Sequence, residues 1–580
     1  MLDLNISKKH KAFSLAGQHK SYTGKHVLFT ETPNIQDVVT CKKRMHIAIG
    51  VFTIIYFCII LKIFNACLSD GIVISGFEEI TKEKKIIAPV SRADIIDRNG
   101  TLIATSLPTV NLQVSPKYKI KNPEEVAQKL SVIFPELKYE HILKNLKKQK
   151  NNDIKRNLSP AQQAEVNNLG IPALEFKDKQ QARVYPLDNL FSHILGYTNI
   201  DNIGISGLEK SMNKRLTESS RPLQLTVDTG IQDTIREELK KAISLYNAVG
   251  AVAILMDVNN GEVISMVSLP DYNPNLKIPT SNRTAFNFAT QGVYEAGSVF
   301  KTFNTAISLD SKKIKVNDTF DVTKPLKIKG KTIRDFHPQN KWLSVGEILV
   351  HSSNIGSVQM INHIGKEKQR EFFVNLGFSE RLSEFEVLEK EKPLFPSEKN
   401  WTELTMATAS YGYGLSVTPL HIISAFNALV NGGIYYYPTI IKNSSVPSPR
   451  RVISENTSKK IIPLLRDVVA KSSTKSADVS GYQVIGKTGS AEKLVNGRYS
   501  NKNITSFVAA FPASSPKYSL IVVIDEPHGT KATYGFATAG WNAAPTAGNI
   551  IRAVAPQLNV PADFDIEEQR KHIKTNFERY

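Results

Sequence analysis

The chain has 580 residues, enough for two or three domains with sizeable cores, and its 73 Lys and Arg against 54 Asp and Glu give a formal net charge of +19. That excess suits an anionic neighbour, but the cations are scattered and no basic helix interleaved with aromatics emerges, which argues against nucleic acid as a partner. Cys41, Cys58 and Cys67 all precede residue 70, so the remainder holds no disulfide or cysteine-ligated metal; the 12 histidines form no His-Glu-x-x-His pattern, and nothing calls for a metal or other cofactor.

In chain order, a basic leader (1–44) precedes Met45 to Leu68, "MHIAIGVFTIIYFCIILKIFNACL", broken only by His46, Lys62 and Asn65. About 20 apolar residues span a bilayer, and Lys62 lies near enough to the end to snorkel. Eight Lys and Arg precede the span against three in the 17 residues after it, which predicts an uncleaved single-pass anchor with a cytoplasmic N-terminus. Everything beyond residue 70 is then expected outside the cytoplasm.

Residues 69–225 are charged and interrupted. "RADIIDRNGTLIATS" (92–106) reads as a hairpin turning at Asn99-Gly100, and the Lys/Asn-rich patch at 144–157 as an exposed helix and loop. No residue set there suggests chemistry. From about 226 the pattern changes. "VGAVAILMDVNNGEVISMVSLP" (249–270) is a strong hairpin, helices are predicted at 298–309, 344–351 and 355–363, and strands at 504–514 and 518–527. Ser344 and Glu347 have the spacing of a capping box. Strands at both ends with helices between indicate a mixed α+β domain over 226–557, followed by a charged tail at 558–580.

Within "YEAGSVFKTF", Lys301 falls one helical turn from Ser298, and a neutral lysine there can take a hydroxyl proton. The spacing alone is weak evidence, because Ser-x-x-Lys recurs at Ser211, Ser472, Ser490 and Ser514. "GYQVIGKT" (481–488) matches a nucleotide-binding phosphate loop, yet "KSSTKSADVS" rather than a buried strand precedes it, and Tyr482, Val484 and Ile485 read as strand. As a strand, the segment presents Lys487, Thr488, Gly489 and Ser490 along an edge, with Thr488 and Ser490 on one face. Gly489 is expected to admit a ligand's backbone. Such an edge suits an extended peptide ending in a carboxylate.

Three motifs then stand in order: Ser298-Val-Phe-Lys301, Ser352-Ser-Asn354 and Lys487-Thr-Gly489. Together they form the site of penicillin-binding proteins and related β-lactamases. With "DRNGTLIATS", "RVYPLDNLFSHILGYTNIDNIGISGLEK", "RDFHPQNKWLSVGEILVHSSNIG" and "YGYGLSVTPLHI", the chain resembles the class B penicillin-binding proteins over about residues 40–555. The resemblance is to the division-specific peptidoglycan D,D-transpeptidases of the FtsI type, although Ala296 stands where many members have proline.

That resemblance implies an anchor, an elongated α+β pedestal (69–225) and a transpeptidase domain with a five-stranded antiparallel sheet flanked by helices. It implies that Ser298 attacks the penultimate D-alanine carbonyl of a stem pentapeptide, with Lys301 as base, its pKa lowered by burial and by Lys487. Ser352 would relay the proton to the leaving amine, and Asn354 would bind the acyl chain and hold Lys301. Thr488 and Ser490 would grip the carboxylate beside Lys487 and Gly489, and the N–H groups of Ser298 and Ser490 would form the oxyanion hole. Implied partners are nascent peptidoglycan, β-lactams, the bacterial inner membrane, the FtsW polymerase and other division proteins. A hydrolase (carboxypeptidase or β-lactamase) and a non-catalytic sensor or scaffold remain the alternatives. Ser352 is also open to reading as only the N-cap of the following helix, and Glu526 as a structural turn acid.

Overall fold

The computed structural model describes residues 35–68, 91–148, 150, 152–276, 283–495 and 498–564. Most of the expected leader, the stretch after the anchor and the end of the expected tail lie outside the described residues. The chain divides into two units, 1–86 and 87–580. In the first, helix α1 (Ile35–Leu68) contains Lys42–Lys62, which is, among the described residues, the one helix long and apolar enough to cross a membrane. The helix starts ahead of the predicted span and takes in Lys42, Lys43 and Arg44.

The second unit opens with β1 (Ile95–Ile96) and β2 (Leu102–Val114), the predicted hairpin. Asp97 accepts the Asn99 and Thr101 N–H groups at 2.8 Å each, which closes its turn. Helices α2 (Pro123–Ile133), α3 (Tyr139–Lys148) and α4 (Pro160–Asn168), with strands β3 (Asp153–Leu158) and β4 (Leu174–Val184), build a lobe with its own core around Leu112, Leu130, Phe134 and Leu146. The exposed helix and loop expected over 144–157 are corrected in the last part of that patch: Asp153–Leu158 pairs antiparallel with β2 and buries Ile154 and Leu158. Lys155, Arg156 and Asn157 mask a strand that long-range pairing stabilises. Strand β5 (Leu223–Gln224) runs parallel to β1. Nearby, the buried Glu209 carboxylate holds Arg92 and Arg183, each at 2.6 Å, joining three distant segments.

The C-terminal part contributes α5 (Thr229–Tyr246), β6 (Gly250–Asp257) and β7 (Val263–Leu269). A 3₁₀ turn at Gly297–Val299 then leads into α6 (Phe300–Asp310), followed by α7 (Val345–Val350) and α8 (Asn354–Asn362). After α9 (Pro419–Val430) and α10 (Glu455–Lys471) come β8 (Ile485–Val495), β9 (Arg498–Phe511), β10 (Tyr518–Asp525) and α11 (Ala543–Gln557). The strands form one antiparallel sheet in the order β8-β9-β10-β6-β7, uniting both ends of the domain as the sequence predicts.

Strand alternation gives this sheet two apolar faces. Ala253, Phe507 and Val522 meet α5 and α11 through Ile231, Ile235, Ile550 and Val554. Ile254, Val508 and Ile521 meet α6 and α9 through Phe300, Phe303 and Phe426, in a core that continues into the base of the pedestal at Ile95 and Leu208. The capping box on α7 forms as expected: Ser344 accepts the Glu347 N–H, while Glu347 accepts the Ser344 N–H at 2.9 Å. The α6 helix is thereby pinned between the sheet and α8, with its N-terminus directed at the edge strand β8.

Candidate active site

Ser298 sits in the 3₁₀ turn ahead of α6, half-buried, while Lys301 in the first helical turn is 1 % exposed. Phe300 and Phe303 anchor that turn in the core, which keeps the lysine almost wholly covered. Lys301 Nζ lies 2.7 Å from Ser298 Oγ and 3.2 Å from Ser352 Oγ, and the Ser352 hydroxyl reaches Ser298 Oγ at 2.9 Å. The three groups form a closed triangle. Burial pushes the Lys301 pKa well below its ordinary value, the nearby Lys487 charge pushes it further down, and Asp335 opposes both. A neutral amine has a lone pair with which to accept the Ser298 proton.

Ser352 reaches the triangle from a left-handed backbone, φ +56°. Such a conformation is costly for a serine and survives only where its surroundings fix it. Those surroundings begin at the next residue. Ser353, not Ser352, caps α8, its Oγ accepting the Gly356 N–H at 3.0 Å. The capping reading of Ser352 is therefore overturned, and its hydroxyl is free for Ser298. Asp335, buried and absent from the predicted site, holds this turn: it accepts the Ser353 hydroxyl at 2.7 Å, the Asn354 N–H at 2.6 Å and the Ile355 N–H at 3.0 Å.

Asn354 departs from its expected contact. Its Nδ2 donates to the Arg334 carbonyl at 2.9 Å, and no hydrogen bond joins it to Lys301.

Lys487, Thr488, Gly489 and Ser490 lie on β8, the edge strand, as the sequence predicts, and the phosphate-loop reading fails because Ile485–Thr488 is extended and paired with β9. Lys487 is 2 % exposed, its Nζ 3.3 Å from the Thr488 carbonyl, and burial lowers its pKa to about 8. Thr488 is half-buried; Ser490 Oγ accepts the Ala539 N–H at 3.0 Å, which leaves its own proton to donate. Gly489 serves a different purpose from the one expected. A Cβ there would overlap the Ala296 carbonyl oxygen and stand 2.9 Å from Ser506 Oγ, so the chain's own nucleophile turn fills the space assigned to a ligand. On the other side of this contact, a Cβ on Gly297 would meet the Ser490 carbonyl at 2.7 Å and its nitrogen at 3.6 Å, so the peptides of Ser298 and Ser490 are neighbours.

Two further features complete the surroundings. Glu526 binds Lys493 and Lys502 at 2.8 Å each, which holds its pKa down to about 2 against burial, in keeping with the structural reading. Glu295, three residues before the nucleophile, is a buried carboxylate that accepts the Gly414 N–H at 2.7 Å and the Tyr499 hydroxyl at 3.0 Å. Neither Asp335 nor Glu295 carries a local sequence signal; each is defined by partners brought from elsewhere in the chain.

Residues 251–551 match the family described as penicillin-binding protein transpeptidase domain, and residues 87–242 the penicillin-binding protein dimerisation domain. A probable peptidoglycan D,D-transpeptidase FtsI of Caulobacter vibrioides is 34 % identical over 486 residues, covering 81 % of this chain and 82 % of the relative. The peptidoglycan D,D-transpeptidase FtsI of Escherichia coli K12 is 27 % identical over 509 residues, covering 82 % and 84 %. Among solved structures, penicillin-binding protein 3 of Mycobacterium tuberculosis complexed with aztreonam shares the fold, with a TM-score of 0.65 at 21 % identity over 82 % of this chain and 97 % of the other.

Proposed function

From the premise that this chain belongs to the penicillin-binding protein transpeptidase family, we infer that it is a peptidoglycan D,D-transpeptidase of the FtsI type, acting through an acyl-enzyme on Ser298 and acylated there by β-lactams. The observation that carries the residue assignment is the Ser298–Lys301–Ser352 triangle, closed at 2.7, 3.2 and 2.9 Å around a lysine whose burial favours the neutral amine.

Ser298 Oγ attacks the penultimate D-alanine carbonyl while Lys301 takes its proton. The oxyanion forms between the N–H groups of Ser298 and Ser490, a role supported by the contact of Gly297 with the Ser490 peptide. Ser352, within reach of both groups, passes the proton to the leaving amine. The C–N bond breaks and terminal D-alanine departs. An amine of a second stem peptide then attacks the ester, returns the proton to Ser298 through the same groups, and leaves a new amide cross-link. With a β-lactam, the same attack opens the ring and the amine stays tethered.

Lys487 supplies positive charge for the substrate carboxylate, and the Thr488 and Ser490 hydroxyls donate to it. Gly489 lets the grip strand lie against the nucleophile turn, and Asn354, whose Nδ2 is held by the Arg334 carbonyl, keeps its amide oxygen to accept from the acyl chain. The domain plan is a leader (1–44), an anchor (45–68), a pedestal (69–225), a transpeptidase domain (226–557) and a tail (558–580). Packing of α5 on the catalytic sheet supports a boundary ahead of residue 229. The apolar helix suits an inner-membrane anchor with a cytoplasmic N-terminus and a periplasmic catalytic domain, serving septal wall synthesis beside the FtsW polymerase and other division proteins.

The test uses the full chain in detergent with a stem-pentapeptide donor and an amine acceptor. Release of D-alanine together with a cross-linked dimer is expected. Release with only hydrolysed tetrapeptide would point to a carboxypeptidase, and no release at all would remove the enzymatic reading.

A further inference from the structure

Glu295 is 6 % exposed, and no lysine, arginine or histidine among the described residues forms an ion pair with it. An unpaired buried carboxylate is expensive to keep. Burial raises its pKa, and only two neutral donors counter that, the Gly414 N–H and the Tyr499 hydroxyl. These donors belong to two different elements. Gly414 lies in the loop whose Gly412 carbonyl accepts the Gly297 N–H at 3.3 Å, and Gly412 is packed so closely on the Gly297 carbonyl that a Cβ there would overlap it. Glu295, the nucleophile turn and the 411–414 loop are therefore packed as one block.

Tyr499 belongs to the other element, the β8–β9 hairpin, whose first arm carries Lys487 to Ser490. Between Glu492 and Leu494 the hairpin's register shifts, and pairing resumes with Leu494 opposite Tyr499 and Val495 opposite Arg498, so an irregularity separates its outer part from the regular ladder. Tyr499, opposite Leu494, lies just beyond that irregularity. Its ring is half exposed and meets Tyr413 edge-on at 6.0 Å, and Tyr413 meets Tyr411 at 5.9 Å. The hydroxyl is the hairpin's polar attachment to Glu295.

We propose that Glu295 is a positioning residue for acylation: its carboxylate latches the Tyr499 hydroxyl, and with it the outer β8–β9 hairpin, to the nucleophile turn, so that an acyl donor lying along β8 meets Ser298 in a fixed register. The inference rests on Ser298 being the acylated residue. It adds a determinant that belongs to none of the three motifs.

The experiment measures acylation of the full chain in detergent by a fluorescent penicillin across reagent concentrations, which separates apparent binding from the acylation step. Tyr499→Phe removes one exposed-side hydroxyl and leaves the ring, so it is the variant that carries the test. A hydrogen bond to a charged group lost from the transition state corresponds to a drop of about tenfold or more. Tyr499→Phe and Glu295→Ala are each expected to slow the acylation step by about that factor, and the double variant no further, because both break one latch. Glu295→Gln, which still accepts and donates, should recover to within about threefold of wild type. Wild-type acylation rates in Tyr499→Phe, or losses that multiply in the double variant, would overturn the latch. A wild-type chain that takes no label would instead remove the Ser298 assignment, so the two failures are distinct.

Discussion

Replacing Asp335 by alanine tests whether the second motif is held from outside itself. The carboxylate accepts three hydrogen bonds, at 2.7 Å from Ser353 Oγ and at 2.6 and 3.0 Å from the Asn354 and Ile355 N–H groups. At ~1–3 kcal/mol for each buried donor left unpaired, the turn loses on the order of 3 kcal/mol or more. Its left-handed neighbour Ser352 then has less to hold it. If half of that loss is expressed as a displaced Ser352 hydroxyl, acylation slows by about tenfold, since ~1.4 kcal/mol is a factor of ten. Asp335→Asn keeps one oxygen for the two N–H groups and should lose less. Removing the carboxylate also removes the one influence that raises the Lys301 pKa. The acid limb of the rate profile should accordingly move to lower pH while the plateau falls, which separates a misplaced Ser352 from a protonated base. Stopped-flow acylation by a fluorescent penicillin gives the rate, and hydrogen exchange over 353–357 reports the turn. Wild-type rate and unchanged exchange protection in Asp335→Ala would mean that Asp335 does not hold Ser352 in place.

Three other outcomes follow from the same geometry. Acylation should be bell-shaped in pH: it falls on the acid side as Lys301 takes up the proton that burial and Lys487 deny it, and falls again above about 8, where Lys487 loses its charge. A profile flat across pH 8, or a Lys487→Met variant whose acid limb does not move to higher pH, contradicts this. Gly489→Ala drives a Cβ into the Ala296 carbonyl and against Val299 Cγ2 at 2.9 Å, so the variant should melt lower and lose labelling; a fully labelled Gly489→Ala chain argues against the tight turn-to-strand packing. Ser352→Ala should abolish proton relay and cut acylation by about 100-fold or more, as expected for a general acid–base group. Ser353→Ala removes a helix cap worth about 1 kcal/mol and should cost mainly stability. Comparable rate losses in the two serine variants would undermine the division of labour between these neighbours.

The parts of the fold and site that were legible in the sequence are those written in local code. The 249–270 hairpin, the capping box at Ser344 and Glu347, and the edge strand bearing Lys487 all depend on residues within a few positions of one another. The three motifs were legible because their internal spacing is chemical, and their convergence followed from the resemblance. What sequence reading missed is long-range. Asp335 finds Ser353 across 18 residues, and Glu295 finds Tyr499 across 204. Neither partner carries a local sign of the other. Strand β3 was hidden because Asp153, Lys155, Arg156 and Asn157 outweigh Ile154 and Leu158 in composition, while pairing with β2 decides its conformation. The role of Gly489 was misread for a related reason: a glycine on an edge announces close approach but not what approaches, and here it is the backbone of Ala296.

Covalent labelling of the full chain with a fluorescent penicillin, followed by mass mapping of the adduct in wild type and Ser298→Ala, identifies the nucleophile. The geometry around Lys301 predicts one adduct on the peptide containing Ser298, lost in the alanine variant while its melting temperature is kept. An adduct on another residue, or labelling that survives in Ser298→Ala, would contradict the assignment of the nucleophile.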